Sequence, residues 1–450
     1  MKRVDKRRET RKDREPGEVR VEFSGKNMTP FGGFGLFRKF IGKLGIEKAL
    51  NTALGTKFEG DKYPVGRKIM SLVNALICGF DRPSDTEVLK QDKTFQKVMG
   101  YSDYPDQSTF SRFLKAFSVK EANRIGEQSV RMLLKVRNNF QGWIKLTLDF
   151  DSHVKTVYGN QQRAKVGYNP KKRGRKSYHP LFCFIGESRD FLLGKFRAGN
   201  AYTSRGAIEF LKNCLKLIPN KMMQIYVRAD SGFFSFDFLS ALEKRGIKYA
   251  VAAKLYSNIQ VKLGGLNYRS LEGGVDVAEL EHCMTNGKKT LTCRMIVIRE
   301  EIREGKPHKK VPRLFDLKGY SYQVIVTNIR QGAPEMIWRF YNGRANVENM
   351  IKEAATGFGM DVSPSHCYGG NAAYFQIGML AYNLTNWFKE LALGLNEKKP
   401  MIKWVRNHFL LIAGKLVQSS RYVTLKLSQN YPWQREYRQA EARLAALNFI

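Results

Sequence analysis

The sequence predicts an α/β fold in which a central sheet lies between helical segments. Two observations predict it. Apolar residues recur at helical spacing over residues 31–136, and near Gln141 the period changes to that of strands. From there, strands and helices alternate as far as about residue 254, and helical spacing returns in the last part of the chain.

The composition indicates a globular chain with a polyanionic partner. Of 450 residues, 43% are hydrophobic, which is enough for two or three domains with buried cores. There are 77 Lys and Arg against 41 Asp and Glu, a formal net charge of +36. Such a chain repels itself unless a polyanion neutralises it, and binding to nucleic acid releases counterions. We therefore expect a nucleic-acid partner. A membrane-surface protein, or a merely basic one, is the alternative.

The cysteines and the apolar segments indicate an intracellular protein. The six cysteines form no Cys-x-x-Cys pair, so neither a zinc site nor a disulfide framework is predicted. The N-terminus is charged and lacks the apolar stretch of a signal peptide. The most apolar helix candidate, residues 372–388, contains several polar residues, so we expect it to be buried in protein and not in a membrane.

The part of the chain before the sheet divides into a tail and a helical domain. Residues 1–30 are highly charged and poor in apolar residues, which predicts a basic disordered tail. Such a tail either follows a DNA backbone or keeps the chain soluble. Residues 31–138 predict a helical DNA-binding domain, with a capping-box helix start at Ser84 to Glu87.

One helix of this domain has the pattern of a recognition helix. A polar segment precedes its first apolar residue, Phe110, and Arg112 lies on its polar side. Its apolar side is formed by Phe110, Phe113, Leu114 and Phe117. The second helix of a helix-turn-helix has such an apolar back and a polar side toward the DNA groove. An ordinary amphipathic surface helix has the same pattern, so both interpretations remain open.

Residues 139–254 predict the first part of an α/β core. The predicted elements are strands at 143–151, 177–186 and 191–199, a helix at 204–218, a strand at 223–230, a helix at 236–245 and a strand at 248–254. Three meandering strands followed by helix-linked parallel strands are typical of an RNase H-like sheet. In that sheet the first and fourth strands are neighbours.

The rest of the chain predicts an insertion and a return to the core. Residues 255–320 contain short alternating strands and an Asn286-Gly287 hairpin signal, which predicts an inserted, mostly-β subdomain. Residues 321–395 predict the second part of the core, with a strand and then a helix over about 334–358. Residues 396–450 predict a C-terminal helical region.

Four acidic residues occupy positions at which they can converge. Asp149 and Asp151 lie two apart on the first core strand and therefore project from the same side of the sheet. Asp230 ends the fourth strand, the expected neighbour of the first, and Glu348 lies on the helix after the insertion. Converging carboxylates bind Mg²⁺, and two such ions can activate the nucleophile and stabilise the leaving oxygen in phosphodiester chemistry.

The helix around Glu348 carries a sequence signature. Tyr341, Arg344 and Glu348 have the spacing Tyr-x₂-Arg-x₃-Glu. This resembles the signature of the DDE transposases of bacterial insertion sequences, in the cut-and-paste group with a β insertion before the glutamate. That signature continues with a lysine seven positions beyond the glutamate, where this chain has Ala355. Lys352, one helical turn beyond Glu348, is the candidate to replace it as a phosphate contact.

Three further segments resemble motifs of the same group. Residues 148–152, with Tyr158 to Gln161 downstream, resemble the motif of the first aspartate. Residues 228–233 resemble the second motif, and residues 371–384 resemble the helix that follows the glutamate. The resemblance extends from about Phe31 to Leu416.

The roles of individual residues remain open in part. Arg344 either holds a DNA phosphate with its planar guanidinium or forms only an exposed ion pair with Glu348. Asp151 is followed by Ser152, as in the family's first motif, so Asp151 is favoured as the metal ligand and Asp149 as a group that orients it. Tyr341 is expected to contact DNA with Arg344.

A basic run before the second strand is a further candidate for DNA contact. It contains Lys171, Lys172, Arg173 and Arg175. A solvated loop is the alternative interpretation, and the total charge favours phosphate contact. His153 lies near Asp151, but we interpret it as a neighbour of the site, not a base, because metal ions activate the nucleophile.

The resemblance implies a transposase that binds the terminal inverted repeats of its element and catalyses DNA cleavage and strand transfer. Asp151, Asp230 and Glu348 would be catalytic and, with Asp149, would hold two Mg²⁺ or Mn²⁺ ions. The partners would be double-stranded DNA, both transposon ends and target, and a second copy of the chain bound on DNA. The implied location is the bacterial cytoplasm, at the nucleoid. An RNase H-like nuclease without strand transfer and a non-catalytic nucleic-acid-binding protein are the alternatives.

Overall fold

The structure, a computed structural model, describes residues 20–219, 223–271, 274–302, 319–396 and 399–449. Most of the predicted basic tail, residues 1–19, lies outside them. The described chain opens with a short strand and a set of helices. These are β1 (Met28–Thr29), α1 (Phe34–Leu44), α2 (Ile46–Leu54), α3 (Val65–Cys78), α4 (Glu87–Gln91), α5 (Lys93–Val98), α6 (Gln107–Lys115) and α7 (Val119–Val136).

The predicted core elements then follow in the expected order, with two short unpredicted strands after the first, and the strand predicted at 177–186 is divided into two strands of different sheets. They are β2 (Lys145–Ser152), β3 (Lys155–Thr156), β4 (Lys165–Val166), β5 (Lys176–Tyr178), β6 (Leu181–Ile185), β7 (Phe191–Lys195), α8 (Ala207–Lys216), β8 (Gln224–Ala229), α9 (Phe236–Glu243) and β9 (Lys248–Ala252). Strands β3, β5 and β4 form a small separate sheet in that order. We call this sheet, together with the loops that join its strands, the basic sheet because of the lysines and arginines that it carries.

The second half of the chain contains longer strands and further helices. These are α10 (Ser257–Leu263), β10 (Arg269–Leu271), β11 (Val275–Asn286), β12 (Lys289–Glu301), β13 (Tyr320–Thr327), α11 (Pro334–Asn342), α12 (Ala345–Gly357), α13 (Tyr368–Trp387), α14 (Ile402–Val405), β14 (Gly414–Gln418), β15 (Val423–Leu427) and α15 (Gln434–Ala446). Among the described residues, no helix combines the length and the apolarity that a membrane span requires.

A nine-stranded mixed sheet forms the centre, in the order β10-β11-β12-β13-β9-β8-β2-β6-β7. Strand β2 pairs in parallel with β8 and antiparallel with β6, and β8 pairs in parallel with β9. The predicted adjacency of the first and fourth core strands is therefore confirmed. Because β2 and β8 are parallel, their carboxyl ends lie at the same edge of the sheet.

The expected insertion extends the central sheet instead of forming a sheet of its own. Strand β12 pairs with β13 along eight positions from Arg294 to Glu301, and β13 pairs with β9 of the core. The free edge of β9 would expose unpaired backbone groups. Strand β13 pairs with this edge, and the long β11–β12 hairpin pairs in turn with β13. The predicted strands are present, and their continuity with the core differs from the expectation.

Two further elements differ from the prediction. The helix expected over residues 334–358 is two helices, α11 and α12, with the break at Gly343 and Arg344. The C-terminal region contains a β-hairpin, β14–β15, and β1 pairs with β14 as its third strand. Periodicity did not predict either feature, because the apolar spacing runs through the break and the hairpin is short.

The N-terminal helices share one core with the sheet. Helix α13 is buried along nearly its whole length and lies between α3 and α7 on one side and β7 on the other. Asn383 on α13 donates to the carbonyl oxygen of Phe191 and to the hydroxyl of Ser129. The helical segment expected to be a domain by itself is thus packed onto the core through α13.

Candidate active site

Asp151 and Asp230 lie at the same edge of the central sheet. Asp151 is the penultimate residue of β2, and Asp230 directly follows β8. The two strands are parallel neighbours, with Phe150 opposite Ala229, so the two aspartates continue the same pairing. Asp151 accepts a hydrogen bond from the backbone N–H of Ser152, and Asp230 accepts one from that of Gly232. These bonds fix both carboxylates at the strand ends.

Arg344 lies among the acidic residues. Its Nη2 atom is 2.8 Å from Oδ2 of Asp151, and its Nη1 atom is 3.8 Å from Oε1 of Glu348. The Arg344 side chain is 9% exposed, whereas that of Glu348, in the first turn of α12, is 74% exposed. The expected Arg344–Glu348 pair therefore exists, but Arg344 is buried and its closest acidic partner is Asp151.

Burial gives the two aspartates unusual proton affinities. Desolvation raises the pKa of Asp151 to about 7; Arg344 lowers it, and the neighbouring charge of Asp230 raises it. Desolvation likewise raises the pKa of Asp230 against the opposing effect of Arg344. The single positive charge of Arg344 cannot neutralise two buried carboxylates. Strongly shifted pKa values of this kind are frequent in catalytic acids.

Asp149 has a different environment from Asp151. Its side chain is fully buried, and both of its oxygens accept hydrogen bonds from Arg228, at 2.6 Å from Nε and 2.7 Å from Nη2. Both oxygens of Asp149 are therefore bonded to one buried guanidinium, whereas those of Asp151 are bonded to the backbone of Ser152 and to Arg344.

The acids fit a divalent cation by their chemistry. Asp151, Asp230 and Glu348 supply only carboxylate oxygens, which are the ligands of Mg²⁺ and Mn²⁺. Within the described residues, no three acidic, histidine or cysteine side chains converge closely enough to hold a metal ion. The guanidinium of Arg344 supplies a positive charge among the acids.

Polar residues that the sequence analysis did not single out surround the end of β2. Ser152 shares hydrogen bonds with Thr203 and with Nε2 of His179, each at 3.1 Å. His153, expected to be a neighbour of the site, lies 2.8 Å from Asp361 in the loop after α12. The sequence pattern did not indicate His179 or Asp361, because both lie in loops that only the tertiary structure places near the end of β2.

The predicted DNA-contact residues lie in different places. Tyr341 is buried beside Arg344, and Lys352 is exposed on α12 and lines a cavity with Arg189. Arg112 is exposed on α6, in the N-terminal helical part. The exposed basic run belongs to the loop between β4 and β5 and consists of Lys171, Lys172, Arg173 and Arg175.

The basic sheet that carries this run directly follows the strand of Asp151. From His153 to Gly186 the chain has no Asp or Glu. Tyr158 and Tyr168 are 69% and 71% exposed, and the ammonium of Lys172 lies 4.9 Å from the ring centre of Tyr158. An exposed surface of cations and aromatic rings next to the acidic site is suited to nucleic acid.

Comparison with known proteins identifies the family. A solved structure similar to this chain is the piggyBac transposase synaptic complex with hairpin DNA, with 12% identity, a TM-score of 0.46, and coverage of 83% of this chain and 78% of that chain. No curated protein matches. The family model described as transposase DDE domain group 1 matches residues 12–449. The chain therefore belongs to the DDE-domain transposases of that group.

Proposed function

We propose that this chain is a metal-dependent transposase that cleaves DNA at the ends of its element and joins them to target DNA. The observation that carries the proposal is the pair Asp151 and Asp230, buried at the carboxyl ends of two neighbouring parallel strands, with Arg344 and Glu348 of the following helices beside them. The core is proposed to be RNase H-like, which the order β7-β6-β2-β8-β9 supports.

The proposed cofactor is Mg²⁺ or Mn²⁺, two ions per site. Asp151, Asp230 and Glu348 would hold them, and the ions would activate the attacking oxygen and stabilise the leaving oxygen. Asp149 is proposed as an orienting group and not as a ligand, since Arg228 takes both of its oxygens. With Asp151 holding a metal ion, Arg344 would be able to offer its guanidinium to a DNA phosphate.

The proposed partner is double-stranded DNA, both the terminal inverted repeats and the target. The charge of +36 and the basic sheet beside the acids support it. Pairing of two ends implies two copies of the chain, assembled on DNA. The proposed location is the bacterial cytoplasm, at the nucleoid.

The test uses the purified chain with a supercoiled plasmid carrying the DNA that flanks its gene. Wild type is expected to cut at the element ends in Mg²⁺, and Asp230→Asn is expected to bind those ends but not cut them. Asp237→Asn, an exposed aspartate on α9, is the matched control and should cut normally. Cutting by Asp230→Asn, or no cutting by wild type in Mg²⁺ or Mn²⁺, would contradict the proposal. Pre-cleaved ends that are never joined to target would identify a nuclease without strand transfer.

The role of the basic run has its own measurement. Replacing Lys171, Lys172 and Arg173 with alanine should lower the slope of log affinity against log salt by about 2.7, if each contacts one phosphate of duplex DNA. The control replaces three exposed lysines outside the basic run: Lys262 on α10, and Lys288 and Lys289 at the turn between β11 and β12. Equal slopes for both variants would assign the basic run to a solvated loop.

A further inference from the structure

We infer that Arg228 is the positioning residue of this site: through one guanidinium it joins the two strands that lead to Asp151 and Asp230 to α11, the helix directly before that of Glu348. The inference rests on the proposed function. Arg228 lies on β8, two positions before Asp230, and directly opposite Asp149 in the parallel pairing of β8 with β2. Asp149 in turn lies two positions before Asp151.

The pair of Arg228 with Asp149 fixes the two strands in register at the site. The Nε and Nη2 atoms donate to the two carboxylate oxygens at 2.6 and 2.7 Å. The arginine side chain is 9% exposed and the aspartate side chain fully buried. A two-point contact between planar groups allows little rotation, so it holds β2 and β8 in one relative position.

The third donor of Arg228 reaches the helix that leads to Glu348. Its Nη1 atom donates to the carbonyl oxygen of Phe340 at 2.8 Å, in the last turn of α11. The backbone N–H of Arg344 donates to Tyr341 at this break between α11 and α12, which leaves the Phe340 oxygen for a partner outside the helix. Arg228 therefore fixes the C-terminal end of α11. This end in turn sets the positions of Arg344 and Glu348, which come after it in the chain.

Two glycines make room for the guanidinium. A Cβ atom at Gly343 would overlap Nη1 of Arg228, and one at Gly186 would lie 2.7 Å from Nη2 and 3.1 Å from Oδ2 of Asp149. Neither glycine has a positive φ, so the requirement for glycine is steric and not conformational. The site is closely fitted around this one side chain, which reaches from β8 to β2 and to the end of α11 but touches none of the three proposed catalytic acids in the described contacts.

The test measures binding of Mn²⁺ to the full chain by electron paramagnetic resonance, and end cleavage at increasing Mg²⁺. Arg228→Lys keeps the charge but not the planar set of donors. We expect its Mn²⁺ affinity to fall about tenfold or more, as for other groups that orient metal ligands, and its Mg²⁺ requirement for cleavage to rise, while affinity for end DNA changes little.

The matched control is Arg137→Lys. Arg137 is also 9% exposed and makes two-point contact with a carboxylate, Glu390, besides its bond to Asp190. It links α7 to residues away from the acids. Its replacement should lower the melting temperature comparably and leave the Mn²⁺ affinity as in wild type. If both variants lower the melting temperature alike and neither changes Mn²⁺ affinity, the inference is overturned.

Two further variants cover the case in which Arg228→Lys does not fold. Asp149→Asn preserves shape and should weaken Mn²⁺ binding in the same direction. Gly343→Ala should also weaken it, because the added methyl group meets Nη1 of Arg228. Where Arg228→Lys does fold, Gly343→Ala should add nothing to its effect, because Nη1 is then gone. Additive effects would overturn the inference. A wild type that binds Mn²⁺ but cuts no DNA would refute the proposed function, while the Mn²⁺ affinities still decide on Arg228.

Discussion

Asp149 and Asp151 lie two positions apart on β2, and each pairs with an arginine. The surroundings of the two pairs differ. Arg228 gives two donors to Asp149 and a third to Phe340. Arg344 contacts Asp151 through Nη2, lies 3.8 Å from Glu348, and its buried Nε has no hydrogen-bond partner in the part of the chain that the structure describes. A satisfied buried network stabilises one arrangement, whereas an incompletely satisfied one can accept another ligand. Strand β2 thus carries one acid in a satisfied buried network and one, the proposed catalytic Asp151, beside an incompletely satisfied arginine.

The largest expected difference concerns catalysis. Asp151→Asn should reduce the single-turnover rate of end cleavage roughly a thousandfold or more, as expected when a member of a catalytic set is removed. Asp149→Asn should reduce it by about 10- to 100-fold, because it only orients the others. Equal loss in both variants, with both proteins folded, would make Asp149 a ligand and remove the distinction.

Stability should show the opposite order. Arg228→Met leaves Asp149 as an unpaired buried charge and should lower the free energy of unfolding at pH 7 by about 3 to 5 kcal/mol. Arg344→Met should lower it by about 1 to 2 kcal/mol, because Arg344 makes one close contact with Asp151, whereas Arg228 donates three hydrogen bonds. Urea unfolding of both variants measures this. A larger loss for Arg344→Met would reverse the assignment of the structural pair.

The pH dependence of stability follows from the raised pKa of Asp151. A carboxyl group with a higher pKa in the folded than in the unfolded chain favours folding when protonated. Its contribution is complete below the unfolded pKa of about 3.9. It is lost as pH rises toward the folded pKa of about 7. The free energy of unfolding should therefore fall by a few kcal/mol between about pH 4 and pH 7. Asp151→Asn should flatten this slope, and an unchanged slope would show that Asp151 titrates normally.

The smallest expected effect tests the close fit around Arg228. Gly186→Ala should lower the free energy of unfolding by about 1 to 2 kcal/mol, since the added methyl group meets Nη2 and the Asp149 carboxylate. In the Arg228→Met chain the same substitution should cost less. The double-mutant cycle measures the difference, and strict additivity would mean that the methyl group is accommodated elsewhere.

Much of the central sheet was predictable because its signals are local. Period, cap residues and strand length fixed the order of the core elements, and the parallel neighbours β2 and β8 followed from that order. The pairing of β12 with β13 was not predictable, because an open edge accepts any strand of suitable length and the sequence does not state which. The break at Gly343 was also missed, since it depends on the tertiary contact with Arg228.

The acids of the site were easier to predict than their partners. Asp151 and Asp230 were found because strand ends bring carboxylates together, and the structure places them at one sheet edge. The arginines that pair with these acids can be predicted only when the register of the strands is known. Arg344 was expected to contact phosphate or to form an exposed ion pair, and it is buried against Asp151. Arg228 follows from the pairing that places it opposite Asp149, a consequence that the sequence analysis did not draw.

The pairing of β1 with β14 has a consequence for biosynthesis. Met28 and Thr29 pair with Lys415 and Gly414, and α1 contacts α15. On the ribosome, the first helices emerge long before these partners exist. The two aspartates of the sheet are likewise made well before α12, so a nascent chain holds its acids without the helices that complete the site. The proposed site is therefore incomplete until α12 has been made, and the pairing of β1 is completed only after β14 has followed.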